Sequence, residues 1–188
     1  MPHLNDNAAE LVTANLILLK GLNNEFGFLD LACGSGRNGL FLLENGIPVI
    51  FADCNKESLE QVRTKLVEKS TEKVMGKTLK AEFWAVDLEL GNTNPLAGKL
   101  FDGVLVFNYL HRPLFPYITQ CIKPGGIVVY QTFTIDQQQF GRPKNLDYLL
   151  TKNELLEHFL GWETLYYFEG IRRKPQRAIA SLIARKPG

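Results

Sequence analysis

The stretch FLDLACGSGRNGLFLLENG, residues 28–46, decides how the rest of the chain is read. An apolar run ends in Asp30, a glycine-rich turn follows, and a short apolar segment closes at Gly46. Strand, tight turn and helix in that order open a βαβ unit. The turn fits two frames. As GSGRNG, Gly34 to Gly39, it is a literal G-x-G-x-x-G, with glycines for the turn and a helix N-terminus for a pyrophosphate. As DLACGSG it is led by an acid, and a carboxylate at the end of the strand repels a pyrophosphate and attracts an ammonium or sulfonium group.

Outward from this loop, short β-rich runs alternate with helical patterns. Leu11, Val12, Leu18, Leu19 and Leu22 follow a cap-rich NDN and predict one amphipathic helix over residues 8–22. Strands are expected at FGFLDLA, PVIFAD, AEFWAVDL, FDGVLVFN and GGIVVYQTF. Residues 56–69 read as a helix capped by Asn55, RPLFPYITQCI as a helix entered through Pro113, and TKNELLEHFLG as a helix with a Thr151–Glu154 capping box. The last third changes character. WETLYYFEGIRRK and QRAIASLIARK are strand-like runs joined by a short Pro-containing turn, which predicts an antiparallel hairpin. The expected fold is α/β: a Rossmann-like, doubly wound, mostly parallel sheet of about seven strands, with an antiparallel C-terminal hairpin strand. A single domain is expected over residues 1–188, with residues 1–24 a helical lead-in and 25–188 the core. Ligands bind such sheets at the carboxyl ends of the strands, near the point where strand order reverses.

Composition bounds the function classes. The 188 residues carry a net charge of +1, so bulk electrostatics selects neither nucleic acid nor an anionic membrane. No apolar stretch approaches the ~20 residues that span a bilayer. Asp6 and Glu10 at the start argue against a secretory leader. Cys33, Cys54 and Cys121 are scattered, without a C-x-x-C pair, so neither a disulfide framework nor a metal site is expected, and a cytoplasmic location is. Cys33 and Cys54 flank the two proposed ligand loops and read as small side chains beside a ligand rather than as reactive thiols.

Asp53 lies about 20 residues past the loop, where a ribose-binding acid belongs, and serves either frame. Asp87 closes the third β-rich run, where an adenine amino group can donate to it. The motifs LDLACGSGRNG, FADC, AVDL, FDGVLVFNYLHRPLF and IKPGGIVVYQTF together resemble the class I S-adenosylmethionine-dependent methyltransferases, over nearly the whole chain. DLACGSGR and NYLHRPLF look like the small bacterial branch that includes the tellurite-resistance type. The resemblance implies S-adenosyl-L-methionine as cofactor and S-adenosyl-L-homocysteine as product. It implies that the loop residues Asp30, Ala32, Cys33, Gly34, Ser35, Gly36 and Asn38 hold the methionine portion. It further implies that Asp53, with Cys54 beside it, bridges the ribose hydroxyls, that Asp87 and Leu88 bind the adenine, and that Asn108 closes the pocket beneath the methionine. Where the family often has glycine this chain has Ala32, which is tolerable if the turn keeps φ negative.

Methyl transfer from a sulfonium depends chiefly on holding nucleophile and methyl in line, so the sequence need not contain a dedicated base. The candidate catalytic face is NYLHRPLF: His111 to accept a proton, Tyr109 to position the nucleophile, Arg112 to hold an anionic acceptor by a two-point contact. The structural alternatives are a loop-linking hydrogen bond from His111 and a loop anchor at Arg112. The two prolines of an N-P-P-[YF] loop are absent after Asn108, which removes support for adenine or glutamine methylation. A basic group, Arg142, Lys144, Arg172, Arg173, Lys174 and Arg177, is either a solvated hairpin tip or an anion-binding rim. The expected function is methyl transfer to a small-molecule acceptor, with anionic and chalcogen compounds among the candidates and no nucleic-acid or membrane partner. The alternatives are an NAD(P)-dependent oxidoreductase and a non-catalytic S-adenosylmethionine-binding protein.

Overall fold

A parallel pair of strands needs a crossover, and a right-twisted strand feeding a helix returns to its sheet on one hand only. In the computed structural model, which describes residues 7–72, 80–91 and 93–188, helices link the first three strands in turn and the fourth strand to the fifth. In order the elements are α1 (Glu10–Thr13), α2 (Leu16–Lys20), β1 (Phe28–Leu31), α3 (Arg37–Glu44), β2 (Val49–Asp53), α4 (Lys56–Glu72) and β3 (Ala81–Ala85). They continue with β4 (Phe101–Phe107), α5 (Phe115–Cys121), β5 (Ile122–Phe133), α6 (Glu154–His158), β6 (Glu163–Arg173) and β7 (Gln176–Arg185). The sheet order is β3-β2-β1-β4-β5-β7-β6. β1 to β5 pair in parallel, while β7 runs antiparallel to both β5 and β6. This is the doubly wound sheet with a C-terminal hairpin that the strand and helix pattern predicts. Strand order reverses between β1 and β4, which opens the crevice at their carboxyl ends.

Strand alternation assigns each side chain its layer. Leu29 and Leu31 of β1, Val104 and Val106 of β4, and Val128 and Tyr130 of β5 pack against Phe115 and Ile118 of α5 and Leu155 of α6. The opposite face joins Phe28, Phe51, Leu105 and Val129 to Leu40 and Leu43 of α3, Leu59 and Val62 of α4, and Val12 and Leu19 of α1 and α2. Asp30 shares the side of Phe28, so its carboxyl points into the α3 layer. Asn55 caps α4 as expected: its Oδ1 accepts the N–H groups of Glu57 at 2.9 Å and Ser58 at 3.2 Å.

Several boundaries differ from the sequence reading. The expected helix over 8–22 is two short helices broken at Asn15, whose Nδ2 donates to Leu11 O at 2.8 Å and competes with the backbone ladder. Asn5 and Asp6 of the proposed cap lie outside the described residues. β3 stops at Ala85 rather than at Leu88 because β2, its partner, ends at Asp53, after which Asp87 turns the chain by accepting Glu89 N–H at 2.9 Å. The Thr151–Glu154 capping box is half made. Glu154 Oε2 accepts the Thr151 N–H at 2.8 Å, but the Thr151 hydroxyl donates to the same oxygen at 3.0 Å instead of accepting from the helix.

At the amino ends of the strands, Asp102 is fully buried, accepts the N–H groups of Phe26 at 2.7 Å and Gly27 at 2.6 Å, and pairs with Lys123. Among the described residues, no helix is long and apolar enough to cross a membrane, and no cluster of His, Cys, Asp and Glu is arranged to hold a metal ion.

Candidate active site

The glycine loop is shaped by close packing. Gly36, the residue before α3, has φ +68°, and a Cβ there would lie 2.6 Å from Val62 Cγ2. Gly39 sits so close to β2 that a Cβ would meet Phe51 at 2.5 Å and Asp30 Oδ2 at 2.7 Å. The Gly39 N–H donates to Asp30 Oδ2 at 2.9 Å. Asp30 is therefore buried against the first turn of α3, and that burial raises its carboxyl pKa to about 7, although the Gly39 bond and Arg37 pull the other way. The negative φ that would make alanine tolerable at position 32 is not found. Its φ is +53°, because the chain must reverse between β1 and the glycines, so alanine holds a left-handed position here.

Asp53 joins the two loops. Its Oδ2 accepts Gly34 N–H at 2.8 Å and its Oδ1 accepts Asn55 N–H at 2.8 Å. Each oxygen retains a lone pair for a further donor. Ser35 and Cys33 are half-buried on the same loop, and Cys54 is exposed after β2. Burial and then the Asp30 and Asp53 charges push the Cys33 thiol up, and desolvation and Asp53 do the same to Cys54, so neither favours a thiolate. Asp87 is exposed beyond β3. Leu88 is buried, so its side chain serves the core and leaves only its backbone to face a ligand.

Asn38 is turned elsewhere. Its Oδ1 accepts Ala9 N–H at 2.8 Å in a buried bond, and Arg37 Nη1 reaches Asn7 O at 3.1 Å. Together they fasten the N-terminal segment across α3 rather than lining the loop.

After β4, Asn108 takes φ +55° while its N–H donates to Gln131 O at 2.9 Å, and the chain swings out of the sheet. Tyr109 follows. Tyr130, stacked on Phe115 at 5.4 Å, donates its hydroxyl to Tyr109 O at 3.0 Å and fixes that turn. The Tyr109 hydroxyl is closed off from solvent with no hydrogen bond of good geometry. Burial first, and then the Glu89 carboxylate beside it, hold the phenol well above its ordinary range. These residues border a pocket of about 390 Å³, lined by Asn108, Tyr109, Leu110, Phe133, Pro143 and Tyr148. Glu89 and Arg142 are its charged members. Glu89, Leu110, Phe133 and Tyr148 escape sequence reasoning, since nothing in their spacing relates the loops after β3, β4 and β5.

The other two catalytic candidates lie apart from this pocket. His111 is half-buried and its carbonyl accepts Leu114 N–H at 3.0 Å, opening a 3₁₀ turn over Arg112–Leu114; it does not line the pocket. Arg112 faces Glu154, with Nε–Oε1 at 2.6 Å and Nη2–Oε2 at 3.0 Å, and donates to the carbonyls of Asp147 at 2.9 Å and Leu149 at 2.8 Å. Four of the five N–H donors of that fork are used inside the protein.

The basic group divides four ways. Arg142 reaches the pocket, and Lys144 is exposed on the same loop with its carbonyl accepting from Gln138 Nε2 at 2.7 Å. Arg173 and Lys174 are exposed at the hairpin tip. Arg172 lies 4.2 Å over the Phe168 ring and donates to the Tyr166 hydroxyl at 3.0 Å. Arg177 is half-buried, and burial, then Arg37 and Arg172 nearby, lower its pKa.

The fold has many solved counterparts. TehB from Haemophilus influenzae superposes with a TM-score of 0.68 at 21% identity, covering 99% of this chain and 63% of that one. The chain thus spans less than two thirds of that relative's length. A SAM-dependent methyltransferase from Methanosarcina mazei gives a TM-score of 0.63 at 19% identity, covering 91% and 97% of the two chains. Magnesium protoporphyrin IX methyltransferase from Synechocystis PCC 6803, solved with bound SAH, gives 0.66 at 13% identity, covering 94% and 81%. At these identities the likeness establishes the fold, that of the class I methyltransferases. No curated protein matches the chain. The family model described as Tellurite resistance protein TehB matches residues 22–176, and the chain belongs to that family.

Proposed function

We propose that this protein binds S-adenosyl-L-methionine and transfers its methyl group to a small-molecule acceptor. The observation that carries the reading is Asp53, which ties Gly34 and Asn55 together at 2.8 Å each and keeps a lone pair on each oxygen for a ribose diol. The surroundings fit such a ligand. A Cβ on Gly34 would meet nothing within 4 Å, so the outer side of the loop is open to it. Asp87 and Asn108 lie at the ends of the neighbouring strands, in the positions proposed for the adenine and for closing the methionine end. The nicotinamide alternative is disfavoured by Asp30, whose carboxyl already takes the Gly39 amide in the first turn of α3 that a pyrophosphate would use.

When bound, S-adenosylmethionine supplies a sulfonium methyl that an acceptor lone pair attacks in line, the old C–S pair staying on sulfur. The protein's part is then to orient and to manage any proton. Asn108 and Tyr109 lie between donor loop and pocket. Tyr109, kept protonated, has its enclosed hydroxyl beside Glu89, and Glu89 is the pocket's carboxylate for an acceptor proton. Arg112 acts through the loop it holds. A cytoplasmic protein belongs to this reading; Cys33, Cys54 and Cys121 are all free.

Calorimetric titration with S-adenosylhomocysteine tests the donor site. Binding is expected, and Asp53→Ala weakens it at least tenfold. Absence of binding, or binding of NAD in its place, overturns the proposal. Incubating cell extract with isotopically labelled S-adenosylmethionine and this protein separates the enzyme from a non-catalytic binder: a labelled small product is expected.

A further inference from the structure

The pocket beyond Asn108 is built rather than incidental. Three of its walls are held by side chains that reach to backbone carbonyls. Tyr130 holds Tyr109 O at 3.0 Å. Arg112 holds the carbonyls on either side of Tyr148, those of Asp147 and Leu149. Gln137, only 5% exposed, accepts Ala178 N–H from β7 at 2.9 Å and donates to Arg142 O at 3.2 Å. The backbone under Arg142 is thereby tied to the sheet, while its guanidinium has no ion pair or hydrogen bond among the described residues. Leu110, Phe133, Pro143 and Tyr148 make much of the remaining lining apolar or aromatic. Glu89 adds one negative charge on the Tyr109 side.

We propose that this pocket takes the methyl acceptor, and that the acceptor is a small organic molecule with a flat apolar body and a single anionic group paired to Arg142. This rests on the donor reading above, because Asn108 and Tyr109 are what join the pocket to the donor loop. The size sets the body: about 390 Å³ is near the small end of ligand pockets, room for one ring system and not for a peptide. The walls set its character, since an inorganic oxyanion gains nothing from Leu110, Phe133 and Pro143, whereas an aromatic ring buries its faces there. The charges set its count. One unpaired guanidinium matches one carboxylate or thiolate, and Glu89 disfavours a second negative charge beside Tyr109.

The test uses ligand-observed ¹⁹F NMR on the full chain saturated with S-adenosylhomocysteine, with 4-fluorobenzoate and its neutral isostere 4-fluorobenzamide as probes and sodium tellurite as competitor. 4-Fluorobenzoate is expected to bind at least tenfold more tightly than the amide, and tellurite at equal concentration does not displace it. Arg142→Ala abolishes that preference while leaving amide binding and S-adenosylhomocysteine affinity within about twofold, and Arg142→Lys restores part of it. Equal binding of the two probes, no binding of either, displacement by tellurite, or a preference that survives in Arg142→Ala overturns the inference. Failure of S-adenosylhomocysteine to bind is a separate result that overturns the donor reading, and the two probes then still report on the pocket in the free protein.

Discussion

Arg112 and Glu154 meet fork to fork, Nε 2.6 Å from Oε1 and Nη2 3.0 Å from Oε2, across 42 residues of sequence. The pair joins the loop after β4 to the start of α6. The remaining Arg112 donors pin the segment between them, which carries Tyr148 into the pocket wall. Glu154 also accepts the Thr151 N–H and hydroxyl, and His158, stacked on Phe115 at 3.6 Å, lies 3.5 Å from its Oε1. An arginine that sequence reading places at the acceptor is thus a positioning residue.

Arg112→Ala is expected to lower stability by roughly 3 kcal/mol, because it leaves a buried carboxylate without its partner. It also frees the Tyr148 wall, so the KM for any acceptor rises several-fold while S-adenosylhomocysteine affinity stays within twofold. The pH dependence gives an independent readout. Burial alone would raise the Glu154 carboxyl, but Arg112 and Thr151 override it and hold it down to about 2. A depressed carboxyl stabilises the fold above its ordinary value and loses that contribution as pH falls, here from about 4.5 toward 2. Urea unfolding across that window should show the loss in the parent and a smaller one in Arg112→Ala; identical slopes would remove Arg112 as its cause.

Asp30 runs the other way. Its carboxyl is raised to about 7 by burial, so the folded state keeps a proton that the unfolded state has already released. Stability therefore falls as pH rises from about 4 to about 7 and is level above that. Asp30→Asn carries no charge and can still accept the Gly39 N–H. The difference in unfolding free energy between parent and variant should shift in favour of the variant across this range. A difference that does not change with pH would mean that the carboxyl stays ionised beneath α3.

Ala32 holds φ +53°, where a Cβ costs on the order of 1 kcal/mol relative to glycine. Ala32→Gly is expected to raise the melting temperature by about 2–4 °C, as ~1 kcal/mol does for a chain of this size. A melting temperature lowered by a similar amount would show that alanine is not strained there.

The sheet was legible because strand and helix periodicities, cap residues and the hairpin each report on a few neighbouring residues. Val49–Asp53 and Gln176–Arg185 fall where alternation puts them. Acid at the strand ends and glycine in the loop were legible for the same reason, and they frame the candidate donor site. Orientation was not. Whether Asp30 faces the crevice or α3 depends on which side of the sheet Phe28 takes, and whether Arg112 meets a ligand or Glu154 depends on α6 folding back over the loop. The pocket was least legible. Glu89, Tyr109, Phe133, Arg142 and Tyr148 come from the ends of three separate strands and the loops after them, and long-range bonds from Tyr130, Gln137 and Arg112 hold the segments that carry Tyr109, Arg142 and Tyr148.

Asp102 offers a control at the opposite end of the sheet. It is an acid inside a strand whose pattern reads as wholly apolar, and it is fully buried. Its carboxylate ties the turn before β1 through Phe26 and Gly27, and its partner Lys123 continues to Asn23 O at 2.8 Å. Asp102→Ala leaves the half-buried Lys123 ammonium without its counter-charge and two amides without a partner, and is expected to destabilise by about 3 kcal/mol. Replacing both charges, Asp102→Leu with Lys123→Met, should cost less than the sum of the two single changes, since neither charge is then stranded. The pair lies at the amino ends of β1 and β4, away from the loops that would hold a ligand, so every folded variant should keep S-adenosylhomocysteine affinity within twofold. Additive single and double changes would mean that the ion pair is not coupled. A tenfold loss of affinity in a folded variant would show that the amino-end bracket sets the geometry of the Gly34 loop at the far end of β1.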